Sequence, residues 1–256
     1  MRTLIAFTKK ECMEQIRSGK IVILGILFLL LGIMNPAIAK LTPWMLEMMA
    51  DSMAESGLSV SSVVIDANTS WTQFFKNVPM GLIAFVLLQS NIFTKEYQSG
   101  TLIPTVTKGL ARYKVVISKT LVVCVLWSAC YWLCFLITYV YNDFYWDNGI
   151  MNNLLFSVVC WWIFGLWTVF VMVLFSTIVK SNVTVLVGTG ISVFGLYLIG
   201  MIPKITKYLP TMLMNTTALT TGSENVSNYT VALMVSLVSA VVSMIASIVL
   251  FNKKDI

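Results

Sequence analysis

Six stretches of this sequence are apolar for long enough to cross a lipid bilayer, and that feature dictates most of what the chain can become. A hydrocarbon core of about 30 Å takes roughly 20 helical residues. The runs Ile21–Ala39, Val78–Phe93, Val115–Val140, Leu154–Val179, Val183–Ile202 and Thr230–Phe251 meet or approach that length. The second is the shortest and borrows Phe74 and Phe75 from its flank. Of the 256 residues, 58% are apolar and only 11% charged, whereas an ordinary soluble domain carries roughly 25% charged residues. Backbone polar groups in lipid must be satisfied within each segment. The sequence therefore predicts an all-α integral membrane protein with six transmembrane helices.

Ala37-Ile38-Ala39 looks like a leader cleavage site, but the apolar run before it exceeds the roughly 7–15 residues of a leader. It is read as a first span with a break near Asn35-Pro36. Orientation follows from the basic residues. With the N-terminus inside, thirteen of the 17 lysines and arginines are cytoplasmic, and only Lys40, Lys76, Lys204 and Lys207 lie outside. Both termini are then cytoplasmic. Trp71, Phe74, Phe75, Tyr139, Tyr141, Phe144, Tyr145 and Trp146 mark the outer interface.

The composition also excludes chemistry. There is no histidine, which removes Ser-His and Cys-His nucleophile pairs and most zinc ligand sets. Cys12, Cys124, Cys130, Cys134 and Cys160 contain no Cys-x-x-Cys pair, and four lie in apolar runs, as buried thiols do. No metal site is expected. No Asp, Glu, Lys or Arg falls in the central part of any span, so ion- or proton-coupled transport lacks its usual intramembrane charges. The carboxylates of an intramembrane hydrolase are missing too.

Several segments are not spans. Met1 to Lys20 repeats Ile5, Thr8, Cys12 and Ile16 at helical spacing with Lys9, Lys10, Glu14 and Arg17 largely opposite; this predicts an amphipathic interfacial helix, followed by a single membrane domain over 21–256. The loop 94–114 mixes Leu102, Ile103, Val106 and Leu110 with small polar and basic residues. A connector could be polar throughout, so a short helix packed on a surface is expected. Trp44, Met45, Met48, Met49 and Met53 share one side of an outer helix, better suited to an adaptable apolar face than to copper. Met212, Leu213 and Met214 suggest a segment that dips back into the membrane. Ser239, Ser243 and Ser247, and Gly188 with Ser192, recur four apart and serve close packing of helices within the chain. Gln89, Asn91 and Asn35 are the candidate polar positions on a substrate path.

Together, the basic interfacial helix with Lys10-Glu11 and Arg17, the six spans with both ends inside, and Glu96-x-x-Ser99-Gly100-Thr101 followed by Arg112 and Lys119 resemble the permease subunits of type-2 ABC exporters. Tyr208-Leu209-Pro210 before the last span is similar to that family as well.

The resemblance implies a mechanism. The loop around Glu96–Lys108 would be a coupling helix docked in a cleft of separate cytoplasmic ABC ATPase subunits, with the N-terminal helix bracing beside it. Glu96 would be a helix N-terminal charge or an ion-pair acceptor, Gly100 would permit close approach, and Leu102, Ile103 and Val106 would fill the cleft. Ser99, Thr101 and Arg112 complete that coupling set. A second permease, identical or paralogous, would pair with this one in the plasma membrane. The chain has no Gly-x-x-x-x-Gly-Lys-Ser/Thr phosphate loop, so it is expected to be no enzyme and to bind no cofactor, with ATP and Mg held by the partner. No nucleic-acid partner is expected. Amphipathic peptides, lipids or hydrophobic compounds are the expected cargo. The alternative is an ATPase-independent channel or immunity protein, in which the loop would be dispensable.

Overall fold

The computed structural model describes residues 2–55, 66–101, 107 and 110–254. Among these it contains helices and turns but no strand. Seven long helices among the described residues and one short one are α1 (Arg2–Arg17), α2 (Lys20–Glu55), α3 (Ala67–Gln89), the short α4 (Thr94–Ser99), α5 (Arg112–Tyr145), α6 (Leu154–Ile178), α7 (Asn182–Ile199) and α8 (Thr230–Lys253). Six helical segments are long and apolar enough to cross a membrane. They run alternately up and down, and α1 and α4 lie at one end of the bundle, here called proximal.

Local signals set the helix ends. Gly19 takes a left-handed φ of 73° between α1 and α2, a conformation that a side chain would oppose. Asp66 caps α3, its carboxylate accepting from the Thr69 backbone N–H at 3.1 Å, which satisfies one of the free donors of a helix start. Val179-Lys180-Ser181 alone separates α6 from α7, a tight hairpin in keeping with the close spacing of the apolar runs that end at Val179 and begin at Val183.

One expectation is corrected. The break at Asn35-Pro36 is absent: α2 is helical from Lys20 to Glu55 with Pro36 and Pro43 inside it. A proline costs one helix bond and a steric clash; the Gly32 carbonyl that Pro36 leaves without its helix donor accepts instead from Thr138 Oγ1 of α5 at 3.0 Å, beside the fully buried Asn35. Its Nδ2 donates to Thr138 Oγ1 at 2.9 Å, and its Oδ1 accepts from Asn77 at 2.7 Å. The helices also outrun the apolar stretches. Thirty-six residues of α2 and 34 of α5 rise about 50 Å at 1.5 Å per residue, well beyond the bilayer core. The apolar stretches ending at Ala39 and Val140 are thus parts of longer helices.

An aromatic column forms the core. Trp127 of α5 is fully buried, edge-on to Phe28 of α2 and Phe85 of α3 at 5.9 and 5.3 Å, and its Nε1 donates to the Trp162 carbonyl. Gly165 of α6 makes room for it: a Cβ there would stand 2.1 Å from the indole. On α8, Ser236 and Ser247 are buried and Ser239 accepts from Trp167 Nε1 at 3.0 Å, so the serine stripe faces α6. A Cβ on Gly188 would lie 2.7 Å from Phe175, which puts that small residue in the α6–α7 contact. At the distal end, Met212 and Leu213 are buried in a 3-10 turn, Pro210–Met214, against α6 and α8.

Candidate functional site

At the proximal end four charged side chains from three helices close a ring. Lys119 of α5 and Glu11 of α1 are 1% and 3% exposed and 2.7 Å apart. Lys119 also meets Glu96 of α4 at 3.1 Å, and Lys10 of α1 meets Glu96 at 2.8 Å and Glu11 at 2.9 Å. Glu14 joins from the solvent side, 3.2 Å from Lys10 and 3.3 Å from Lys95. Phe7 and Phe93 flank the Lys119 ammonium. Burying charges is costly unless each finds an opposite charge, and alternation of sign around the ring meets that demand.

Carboxylate oxygens of Glu11, Glu14 and Glu96 converge within 4.8 Å of one another, an arrangement that can hold a cation. The two lysines supply it. Burial works against the Lys10 ammonium, but its hydrogen bonds to Glu96 and Glu11 prevail and raise its pKa above the ordinary lysine value. For Glu14, burial is likewise outweighed by the charge of Lys10, and its pKa falls.

The ring belongs to the membrane boundary and not to its middle. Lys119 precedes Tyr145, at the distal end of α5, by 26 positions, about 39 Å of helix, which is longer than the hydrocarbon core of about 30 Å. The absence of charge from span centres and the presence of a buried ring are thus compatible.

Helix α1 packs on the bundle with a face other than its apolar stripe. Phe7, Glu11 and Gln15, four apart, are its buried residues, while Ile5 and Ile16 are exposed. Thr8 donates to Ser118, and Gln15 bonds with Gln89 at 3.1 Å. Of the apolar stripe, Ile5, Cys12 and Ile16 are directed away from the bundle, while Thr8 borders α5. The sequence shows a polar residue at Glu11 but not that a lysine 108 positions later awaits it.

The remaining candidates fall as follows. Gly100 ends α4 with φ 66° and open space around it within the chain, so its backbone conformation is one that favours glycine. Ser99 and Thr101 hydroxyls lie 2.9 Å apart beside it. Leu102, Ile103 and Val106, with Lys108, lie outside the described residues. Arg112 donates to the carbonyls of Phe251 and Asn252 at the end of α8. Lys254 does the same for Thr177 and Ile178 at the end of α6 and lies over the Tyr97 ring; burial lowers its pKa to about 8, with Lys180 adding to the effect. Both satisfy helix-end carbonyls, a role that sequence spacing does not reveal. Arg17 is exposed at the end of α1. Of the path candidates, Gln89 pairs with Gln15, Asn91 accepts from Lys20, and Asn35 bonds with Thr138 and Asn77. A groove of about 410 Å³ between α3 and α7 is lined instead by residues such as Leu82, Val86, Thr189 and Phe194.

No curated protein matches the chain in sequence. The family model of the ABC-2 family transporter proteins matches residues 5–256. That match spans most of α1, the ionic ring and all six helices long and apolar enough to cross a membrane, and by it the chain is a multi-pass membrane protein of the ABC-2 transporter family, whose members are the membrane components of transporters that associate with ABC ATPase subunits.

Proposed function

We propose that this chain is the permease half of an ATP-driven exporter, with both termini cytoplasmic and a separate ATPase docked on the segment 94–114. The carrying observation is the ring of Lys10, Glu11, Glu96 and Lys119. It fastens α4, the start of that segment, to the interfacial helix α1 and to the long span α5. A push on α4 is then passed to α5 through short ion pairs between rigid helices, the kind of coupled shift by which packed elements switch between arrangements. Leu102, Ile103 and Val106 fill the docking cleft, and Gly100 sets the turn that presents them. In this reading residues 1–20 form the interfacial brace and 21–256 the permease domain. ATP and Mg are bound by the partner, and two permease chains pair around the path.

The cargo is amphipathic or hydrophobic: a peptide, a lipid or a small apolar compound. The groove between α3 and α7 supports this, being walled by Leu82, Val86, Val193 and Phe194 with Thr168 and Thr189 as its hydroxyls. Purification from the native host in mild detergent, with identification of bound proteins and an ATPase assay, tests the proposal. A co-purifying ATPase that is lost when 94–114 is altered is the expected result. An active preparation without any ATPase overturns it and establishes the self-sufficient channel or immunity reading.

A further inference from the structure

Lys40 follows Lys20 on α2 by 20 positions, a rise of about 30 Å that equals the thickness of the hydrocarbon core. With Lys20 at the proximal boundary, the Lys40 ammonium stands in the opposite headgroup layer. Its Nζ lies 4.0 Å from the centroid of the Tyr145 ring, and Tyr141 stacks beside that ring. Among the described residues no carboxylate comes within ion-pair distance of it. Below it, a cavity of about 460 Å³ opens between α2 and α5, with Ile33, Pro36, Ala37 and Leu41 on its wall.

A ring under an ammonium fixes its position by attraction to the π face, yet leaves N–H groups free on the other side. What they lack is an anion, and what the cleft lacks is an apolar filling. A phospholipid supplies both in that order, phosphate at headgroup depth and acyl chain beneath. We propose that Lys40 and Tyr145 form a phospholipid site, with Lys40 Nζ donating to the lipid phosphate and one acyl chain lying along Ile33, Ala37 and Leu41. A free phosphate would use the lysine but leave the cleft empty. The site stands on depth, charge and shape, and does not rest on the transport reading.

The test is native mass spectrometry of the full detergent-purified chain, titrated with dioleoyl phosphatidylglycerol or with dioleoylglycerol, which has the same chains and no phosphate. Wild type is expected to retain the phospholipid roughly tenfold better, the scale of one charge-assisted hydrogen bond. Lys40→Met removes that preference, and Tyr145→Leu weakens it. Lys40→Arg and Tyr145→Phe, which keep the cation and the ring, preserve it, as does Lys76→Met at another exposed lysine. Equal retention of the two lipids, an unchanged preference in Lys40→Met, or displacement of the phospholipid by inorganic phosphate overturns the proposal.

Discussion

Lys119 and Glu11 stand 108 positions apart in the chain and 2.7 Å apart in the fold, both almost fully buried. The pair locks α1 onto α5. Removing one member of a buried pair costs about 3–5 kcal/mol, because the partner is left charged and unpaired. Lys119→Met is therefore expected to destabilise the protein by about 3 kcal/mol or more, since Glu11 and Glu96 are left to share Lys10. Adding Glu11→Gln removes the surplus charge and should recover part of the loss. Thermal unfolding of the single and double variants in detergent checks this; a double variant no more stable than Lys119→Met alone would contradict it.

The grip on α1 depends on pH in a defined way. The Lys10 pKa is raised, so its contribution is complete below the ordinary lysine value of 10.5 and is lost as pH climbs through the folded value. The Glu14 pKa is lowered, so its contribution is complete above the ordinary 4.5 and is lost as pH falls through the folded value. Helix α1 should be held constantly between these limits and loosen on either side. Cys12 is the exposed cysteine of the five, so a spin label there reports the loosening directly. Mobility that changes within the window would count against the ring.

Gly165 is a steric requirement. Alanine there would drive a methyl group to 2.1 Å from the Trp127 indole, and overpacking a fixed ring costs about 1–3 kcal/mol or more. Gly165→Ala is expected to lower the unfolding temperature, and Trp127→Leu in the same chain to restore part of it. A Gly165→Ala protein as stable as wild type would show that the indole can move aside.

At Gly100 the cost is in the backbone. A φ of 66° opposes any side chain by about 1–2 kcal/mol, and space around it is open. Gly100→Ala should loosen α4 while Gly100→Asn, better tolerated in that region, should loosen it less. Hydrogen exchange at Thr94–Ser99 distinguishes the two, and equal exchange in both would remove the conformational argument.

The spans, the α6–α7 hairpin and the inward serine stripe were legible because each rests on local composition or spacing. Helix length was not. Polar residues beyond Ala39 and Val140 announce water, but they do not stop a helix, and α2 and α5 continue. Nor does Pro36 stop α2, because Thr138 arrives from another helix to supply the Gly32 carbonyl with the donor that the proline lacks. The same holds at the candidate site. The spacing of Glu96, Gly100, Arg112 and Lys119 marked the region, while the pairing of Glu11 with Lys119 and the capping of α8 by Arg112 arise only when distant segments meet. For α1, apolar periodicity pointed to Ile5 and Ile16, yet the buried stripe is Phe7, Glu11 and Gln15, since a face made for lipid and a face made for protein carry different residues.

The central claim is that α4 hands motion to α5 through the ring, and Glu96→Lys reverses the charge at its centre. Proteoliposomes holding the permease with its co-purified ATPase allow ATP hydrolysis and efflux of a fluorescent amphipathic peptide to be measured on the same sample. The account predicts that the Glu96→Lys complex still hydrolyses ATP but no longer exports the peptide. Efflux at the wild-type rate would contradict it.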